Sequence, residues 1–159
     1  MLIPTGEMAD QEYPKVETLE QAKQLIDENP DVPYYYQQLG KLQLQAGDLM
    51  AAWQAYMDAL EVDPDDPFTC LYFGNLLALC DDKRYALKLY RHAVEKAPLL
   101  PAVHWCLGDL YRDLGEFEAA DSAYRRAVEV DEHDDQARQK LEEWTRFREE
   151  IERNDSMDE

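Results

Sequence analysis

Three glycines, Gly40, Gly74 and Gly108, stand 34 residues apart, and many other residues keep the same step. Ala52, Ala86 and Ala120 do so, as do Tyr56, Tyr90 and Tyr124, and Ala59, Ala93 and Ala127. Pro33, Pro67 and Pro101 share the register, as do Pro64 and Pro98, and a large apolar residue precedes each glycine at Leu39, Phe73 and Leu107. A fixed period of this length, unbroken by insertions, restricts the chain to an array of like units. Each unit then buries its apolar face against its neighbours.

Within a unit the spacing predicts two helices. The first opens at the proline, whose missing N–H would be unpaired in an opening turn anyway. In the third unit it runs from about Pro101 to Leu114, with Val103, Leu107, Leu110, Tyr111 and Leu114 at helical intervals. Gly115 ends it, as Gly47 does in the first unit, because glycine takes the left-handed conformation cheaply. Asp81 holds that place in the second unit, and aspartate tolerates the conformation moderately well. Phe117, Ala120, Tyr124, Ala127 and Val128 line the second helix. Glycine and alanine remove bulk where paired helices cross, and the tyrosines are expected to fill the space between one unit and the next.

The 159 residues carry a formal net charge of −19, unevenly distributed. Residues 1–32 hold eight acids and two bases, residues 129–159 thirteen and five, and the middle of the chain fourteen and nine. Such an acidic chain repels phosphate backbones, so nucleic acid is not an expected partner, and anionic membrane surfaces are disfavoured. No apolar run approaches the ~20 residues of a membrane span, so insertion is not expected. The opening MLIPTGEMADQEYPKVE has neither a basic stretch nor the apolar core of a secretory signal. Cys70, Cys80 and Cys106 are odd in number and lack a disulfide framework, which fits a reduced, cytoplasmic protein.

The stretch VHWCLGDLYRDLGEF places His104 and Cys106 close together, as a metal or nucleophile site would. On a helix they lie about 200° apart and cannot converge on one ion. No nucleophile–base pair, phosphate loop or metal spacing appears elsewhere, so an enzyme, a metal and a cofactor are not expected.

The units resemble the tetratricopeptide repeat. The first supplies Leu39, Gly40, Ala52, Tyr56, Ala59 and Pro64; the second Phe73, Gly74, Ala86, Tyr90, Ala93 and Pro98; the third Leu107, Gly108, Tyr111, Ala120, Tyr124 and Ala127. The family's early tryptophan is replaced by Tyr36, Cys70 and His104, and Glu132 stands where the third closing proline would be. The resemblance covers residues 33–134 and implies an all-α, right-handed solenoid of three helix-turn-helix units, 33–66, 67–100 and 101–134. A degenerate half-repeat is expected at 15–32 and a capping helix at 135–153. The latter carries Ala137, Leu141, Trp144, Phe147 and Ile151 on one face. Residues 1–14 and 154–159 are expected to lack order.

The resemblance also implies a concave groove lined by the first helices. Its candidate residues are Tyr34, Gln37, Lys41, Leu44 and Gln45; Phe68, Leu71, Asn75, Ala78 and Leu79; and Ala102, Trp105, Asp109, Arg112 and Asp113. Phe68, Leu71 and Trp105 are expected to be exposed apolar anchors, and Asp109 and Asp113 to receive basic residues. The groove lacks the basic set that clamps the carboxylate tails of heat-shock chaperones. The implied function is a non-catalytic adaptor, a monomer or weak homodimer, that binds a peptide or helix with apolar and basic residues from another protein. Size, charge and repeat count also fit a type III secretion translocator chaperone. In a self-assembling scaffold, Trp144 and Phe147 would lie between subunits.

Overall fold

Prolines open and left-handed residues close the first helix of every pair, and this punctuation sets the architecture. The computed structural model describes residues 13–155, and among them all regular structure is helical. Helix α1 spans Leu19–Glu28. Three pairs follow: α2 (Pro33–Gln45) with α3 (Leu49–Val62), α4 (Pro67–Leu79) with α5 (Lys83–Lys96), and α6 (Pro101–Asp113) with α7 (Phe117–Val130). Helix α8 spans Asp135–Asp155. Each helix packs most extensively on its partner in the pair, and contacts between pairs involve only near neighbours in the series. The molecule is an α-helical repeat solenoid.

The turns inside the pairs are built alike. Gly47, Asp81 and Gly115 take positive φ angles of 80°, 63° and 76°. The amide of the residue after each donates to a carbonyl five positions back: Asp48 to Gln43, Asp82 to Leu77 and Glu116 to Tyr111, at 2.8–2.9 Å. This closes the first helix in the Schellman manner. The same loops start the second helix, because the side chains of Asp48 and Asp82 accept from the amides of Ala51 and Tyr85.

The period-34 glycines have a single steric reason. A Cβ on Gly40 would stand 2.8 Å from the Tyr56 ring, on Gly74 2.5 Å from Tyr90, and on Gly108 2.7 Å from Tyr124. Each tyrosine is therefore seated first on the glycine of its own pair, rather than only between units. It also reaches onward, with Tyr56 6.1 Å from the Phe73 ring and Tyr124 5.5 Å from Trp144. Ala52, Ala86 and Ala120 are fully buried beside these contacts.

The ends are covered by helices. Thr18 and Gln21 form a reciprocal cap on α1, whose Ala22 is fully buried, and α1 packs on α2. Helix α8 buries Ala137 and Trp144 against α6 and α7, with Trp144 Nε1 donating to Asp121 Oδ1 at 3.0 Å. It continues to Asp155, past the expected end at 153. Of the termini expected to lack order, 1–12 and 156–159 lie outside the described residues, whereas Tyr13 stacks on Tyr34.

Two substitutions probe this frame. Gly74→Ala drives a methyl into the Tyr90 ring and should lower stability by about 1–3 kcal/mol, the range for an overpacked core. Asp81→Gly relieves the left-handed strain and gives up a solvent-exposed ion pair to Lys83, so it should raise stability by about 0.5–1 kcal/mol. Urea denaturation followed by circular dichroism reads both as opposite shifts of the midpoint.

Candidate functional site

The first helices of the three pairs differ in charge from the rest of the chain. Helix α2 carries one charged residue, Lys41, and α4 carries none; α6 carries Asp109, Arg112 and Asp113. Of 35 acidic residues, only these two lie on the three helices, so the excess negative charge belongs to the second helices, the loops and the ends. Helix α4 is apolar almost right round, with sequence PFTCLYFGNLLAL. A helix of that kind is stable when most of its surface is covered. Covered it largely is, yet Asn75 and Leu79 remain exposed, Leu79 at 67%.

Tyr34 is half-buried, its ring 4.5 Å from and nearly parallel to that of Tyr13, while Tyr13 meets Tyr35 edge-on at 5.8 Å. Lys41 places its ammonium 3.7 Å over the Tyr72 ring, a cation–π contact between α2 and α4. Phe68 is half-buried near the start of α4. Asn75 is held by Tyr90, whose hydroxyl donates to its Oδ1 at 2.6 Å, and the Cys106 thiol donates to the same oxygen at 3.4 Å. Trp105 is half-buried between the α6 and α8 cores, with Lys140 Nζ 5.3 Å from its ring. Leu44, Gln45, Ala78 and Ala102 complete the expected lining; of these Gln45 is exposed and the others are half-buried.

Several expectations need correction. Leu71 is only 5% exposed, because it packs in the core shared by α4, α5 and α6 and is no surface anchor. Gln37 is likewise buried: its Nε2 donates to Asp66 Oδ2 at 2.7 Å and Thr69 Oγ1 at 2.9 Å, tying α2 to the start of α4. Burial pushes the Asp66 carboxyl up, and hydrogen bonds from Thr69 and Gln37 draw it back. Asp109 is already engaged by Lys140 at 2.7 Å, by the Tyr124 hydroxyl at 2.6 Å and by Arg112 at 3.4 Å, while Asp113 pairs with Arg112 at 3.1 Å. These two acids hold α6 to α7 and α8 or bind their own neighbour rather than standing ready for a basic ligand. Trp144 is 2% exposed and so cannot form a stripe between subunits; Phe147, packed on Phe117 and Trp144, is 37% exposed.

His104 and Cys106 do not meet. His104 Nε2 donates to the Pro98 carbonyl at 2.8 Å, and Tyr36 donates to the Pro30 carbonyl at 3.1 Å across the same interval. The residues at the family's tryptophan position thus tie the first helix to the preceding loop in units one and three. Burial pushes the thiols of Cys70 and Cys106 up to about 11 and about 12, so both stay protonated. Among the described residues, no group of three or more His, Cys, Asp or Glu side chains is placed to hold a metal, and no helix is long and apolar enough to cross a membrane. Tyr13, Tyr72 and Lys140 were not expected at this surface. Lys140 was within reach of the register, since α8 begins 34 residues after Pro101.

The molecule is a stack of helical hairpins with a weakly charged row of aromatic side chains along its first helices. Its sequence matches the tetratricopeptide repeat at residues 33–66 and 103–134. Two of its three units are thus tetratricopeptide repeats, and the middle unit keeps their register. Solved structures agree in fold. A thermophilic tetratricopeptide repeat protein from Thermus thermophilus superposes with a TM-score of 0.72 at 22% identity, covering 80% of this chain and 71% of its own. The repeat domain of Sgt2 from Aspergillus fumigatus gives 0.68 at 20% identity, over 76% of this chain and 82% of that one. YrrB, described as a repeat protein with an unusual peptide-binding site, gives 0.67 at 23%, over 78% and 64%. No curated protein matches the chain in sequence.

The three cysteines supply a direct test of the packing. Cys80 is exposed, whereas Cys70 and Cys106 are buried. Iodoacetamide at pH 8 should add one group to the native protein and three after denaturation, as read by intact mass. A native triple adduct would contradict the burial of α4 and α6.

Proposed function

We propose that the protein is a non-catalytic interaction scaffold whose first helices bind an apolar segment of another protein. The observation that carries this reading is α4. It has no charged residue in a chain of net charge −19, and it leaves Leu79 67% exposed one turn after the exposed Asn75, with Phe68 half-buried near the start of the helix. An exposed apolar surface in an otherwise acidic molecule raises the free energy of the isolated protein and falls when covered. Tyr34 and Trp105 flank it as rigid aromatic bodies, the residue type that dominates binding energy where it is desolvated. The name under which YrrB is described, a repeat protein with a peptide-binding site, supports the same use of this fold.

The chemistry favours a partner that is apolar first and charged second. Asp109 and Asp113 are occupied by Lys140 and Arg112, so a basic residue of a ligand would have to displace an existing pair. Partly exposed pairs of this kind contribute about 0–1 kcal/mol, so displacement gains little. Lys41 and the Asn75 amide are left to recognise carbonyls or a carboxylate on the ligand.

Panning a random peptide library against the protein tests the reading. The selected peptides should be rich in aromatic and aliphatic residues. Their affinity should fall at least about tenfold for the Phe68→Ala, Leu79→Glu variant, whose circular dichroism and melting temperature stay close to those of the parent. Peptides that bind the variant equally well would refute the groove.

A further inference from the structure

Helix α5, KRYALKLYRHAVEK, runs against the charge of the molecule. It holds five of the chain's 16 lysines and arginines and one acid, Glu95, in a protein of net charge −19. The other second helices do not share this: α3 has two acids and no base, and α7 three acids and two bases. Ala86, Tyr90 and Ala93 turn one face of α5 into the core. Arg84, Lys88 and Arg91, spaced i, i+4 and i+7, form a strip on the opposite face. All three are exposed, and Tyr85 beside them is 56% exposed.

The bases at the ends of α5 are paired, Lys83 with Asp81 at 3.3 Å and Lys96 with Asp65 at 2.7 Å. Those of the strip are not. Arg91 donates to the Tyr111 hydroxyl at 3.4 Å, and Lys88 stands 4.9 Å from the centre of the Tyr85 ring. None of the three forms an ion pair with a carboxylate of the described residues. The other two pairs of helices show that the fold does not require these cations. The register puts Met50 and Glu118 in the place of Arg84, and Gln54 and Ser122 in that of Lys88. Met57 and Arg125 stand in that of Arg91, and Arg125 is paired with Asp121 at 2.6 Å. Arg84 also lies in the first turn of α5, where the helix dipole disfavours a positive charge.

We propose that the outer face of α5 docks a short acidic segment of another protein, its carboxylates seated on Arg84, Lys88 and Arg91. The strip extends about 10 Å along the helix, at ~1.5 Å per residue. Acids bound it: Asp81 before it and Glu95 after it, with Glu61 and Glu129 exposed on the preceding and following second helices. A ligand whose negative charge runs on, such as a nucleic-acid backbone or an anionic bilayer, meets those acids. A segment with its acids confined to about two helical turns and with neutral or basic flanks does not. At physiological ionic strength charges beyond about 8 Å are largely screened, so a docked segment senses the strip more than the net charge. This surface is built on a second helix and does not depend on the occupant of the first-helix groove.

The test pans a random peptide library on the full chain. Phage that also bind the full-length Arg84→Gln, Lys88→Gln, Arg91→Gln variant are then removed, the fold of the variant being checked by circular dichroism. The peptides that remain should carry about three acidic residues within a run of about eight. They should bind the parent about tenfold or more tightly than the variant, the sum expected of three exposed ion pairs. Their affinity should fall as sodium chloride rises from about 50 to about 300 mM, and Phe68→Ala, Leu79→Glu should leave it unchanged. No remaining peptides, or remaining peptides without acidic residues, would overturn the proposal. Retention of a single-stranded RNA or of phosphatidylserine vesicles by the same three residues would overturn it too, as would a dimer in sedimentation that the triple variant abolishes. Peptides lost with Phe68→Ala, Leu79→Glu would belong to the first-helix groove, so the α5 surface would fail while the groove reading stood.

Discussion

The contact on which the array depends is a tyrosine ring laid on the bare backbone of a glycine 16 residues earlier. It occurs three times, at Gly40–Tyr56, Gly74–Tyr90 and Gly108–Tyr124, with no room for a methyl group at any of them. The ring fixes the approach of two helices within a pair, and in the first and third units it also meets a ring of the helix that follows. The hydroxyl adds direction. Tyr90 donates to Asn75 and Tyr124 to Asp109, the residues that follow the glycines. Burial pushes both phenols up, and Asp109 adds to that at Tyr124 with both its hydrogen bond and its charge, so each remains a donor. In the first unit the corresponding residue is Lys41, which cannot accept from Tyr56 and instead turns to Tyr72 of the next unit. One position after the glycine therefore decides whether the side chain is tied back to its own pair or turned to the next unit.

This couples architecture to electrostatics. Each first helix must offer one face to its partner, another to the adjacent pairs and a remaining strip to solvent. Acidic residues on that strip would oppose the stacking of successive first helices, since like charges would stand on neighbouring rods. The chain keeps acids off α2 and α4 altogether, and on α6 it neutralises both with Arg112 and Lys140. The weakly charged groove is thus partly a requirement of the stack. The exposure of Leu79 is not, because the stack would tolerate a polar residue there at least as well.

The register made the repeats, turns and helix pairs legible before any coordinates, down to the left-handed Asp81. The groove was less legible, for a definable reason. A rule that assigns residues to a concave face treats them as independent, but Gln37 and Leu71 are claimed by partners far away in sequence. Gln37 answers a buried carboxylate at Asp66, and Leu71 fills space beneath α6. Likewise, one of the partners that occupy Asp109, Lys140, belongs to the C-terminal helix and not to the three repeats. Placing α8 in the same register would have revealed it: Asp135 follows Pro101 by 34 residues, Leu141 follows Leu107 and Trp144 follows Leu110. Pro30 extends the series of Pro64 and Pro98 in the other direction.

Those extensions show how the array stops. Helix α8 occupies the place of a fourth first helix, and Glu142 stands 34 residues after Gly108. Glutamate offers no bare backbone on which a tyrosine could be seated, so another second helix cannot dock in the manner of the earlier ones. Helix α1 occupies the place of a preceding second helix, and Ala22 stands 34 residues before Tyr56. It lacks the ring that would engage a glycine upstream. Each end thus retains one half of a unit and discards its half of the glycine–tyrosine pair. A further helix docked at either end would lack the contact that builds the three pairs, since Ala22 offers no ring and Glu142 no bare backbone.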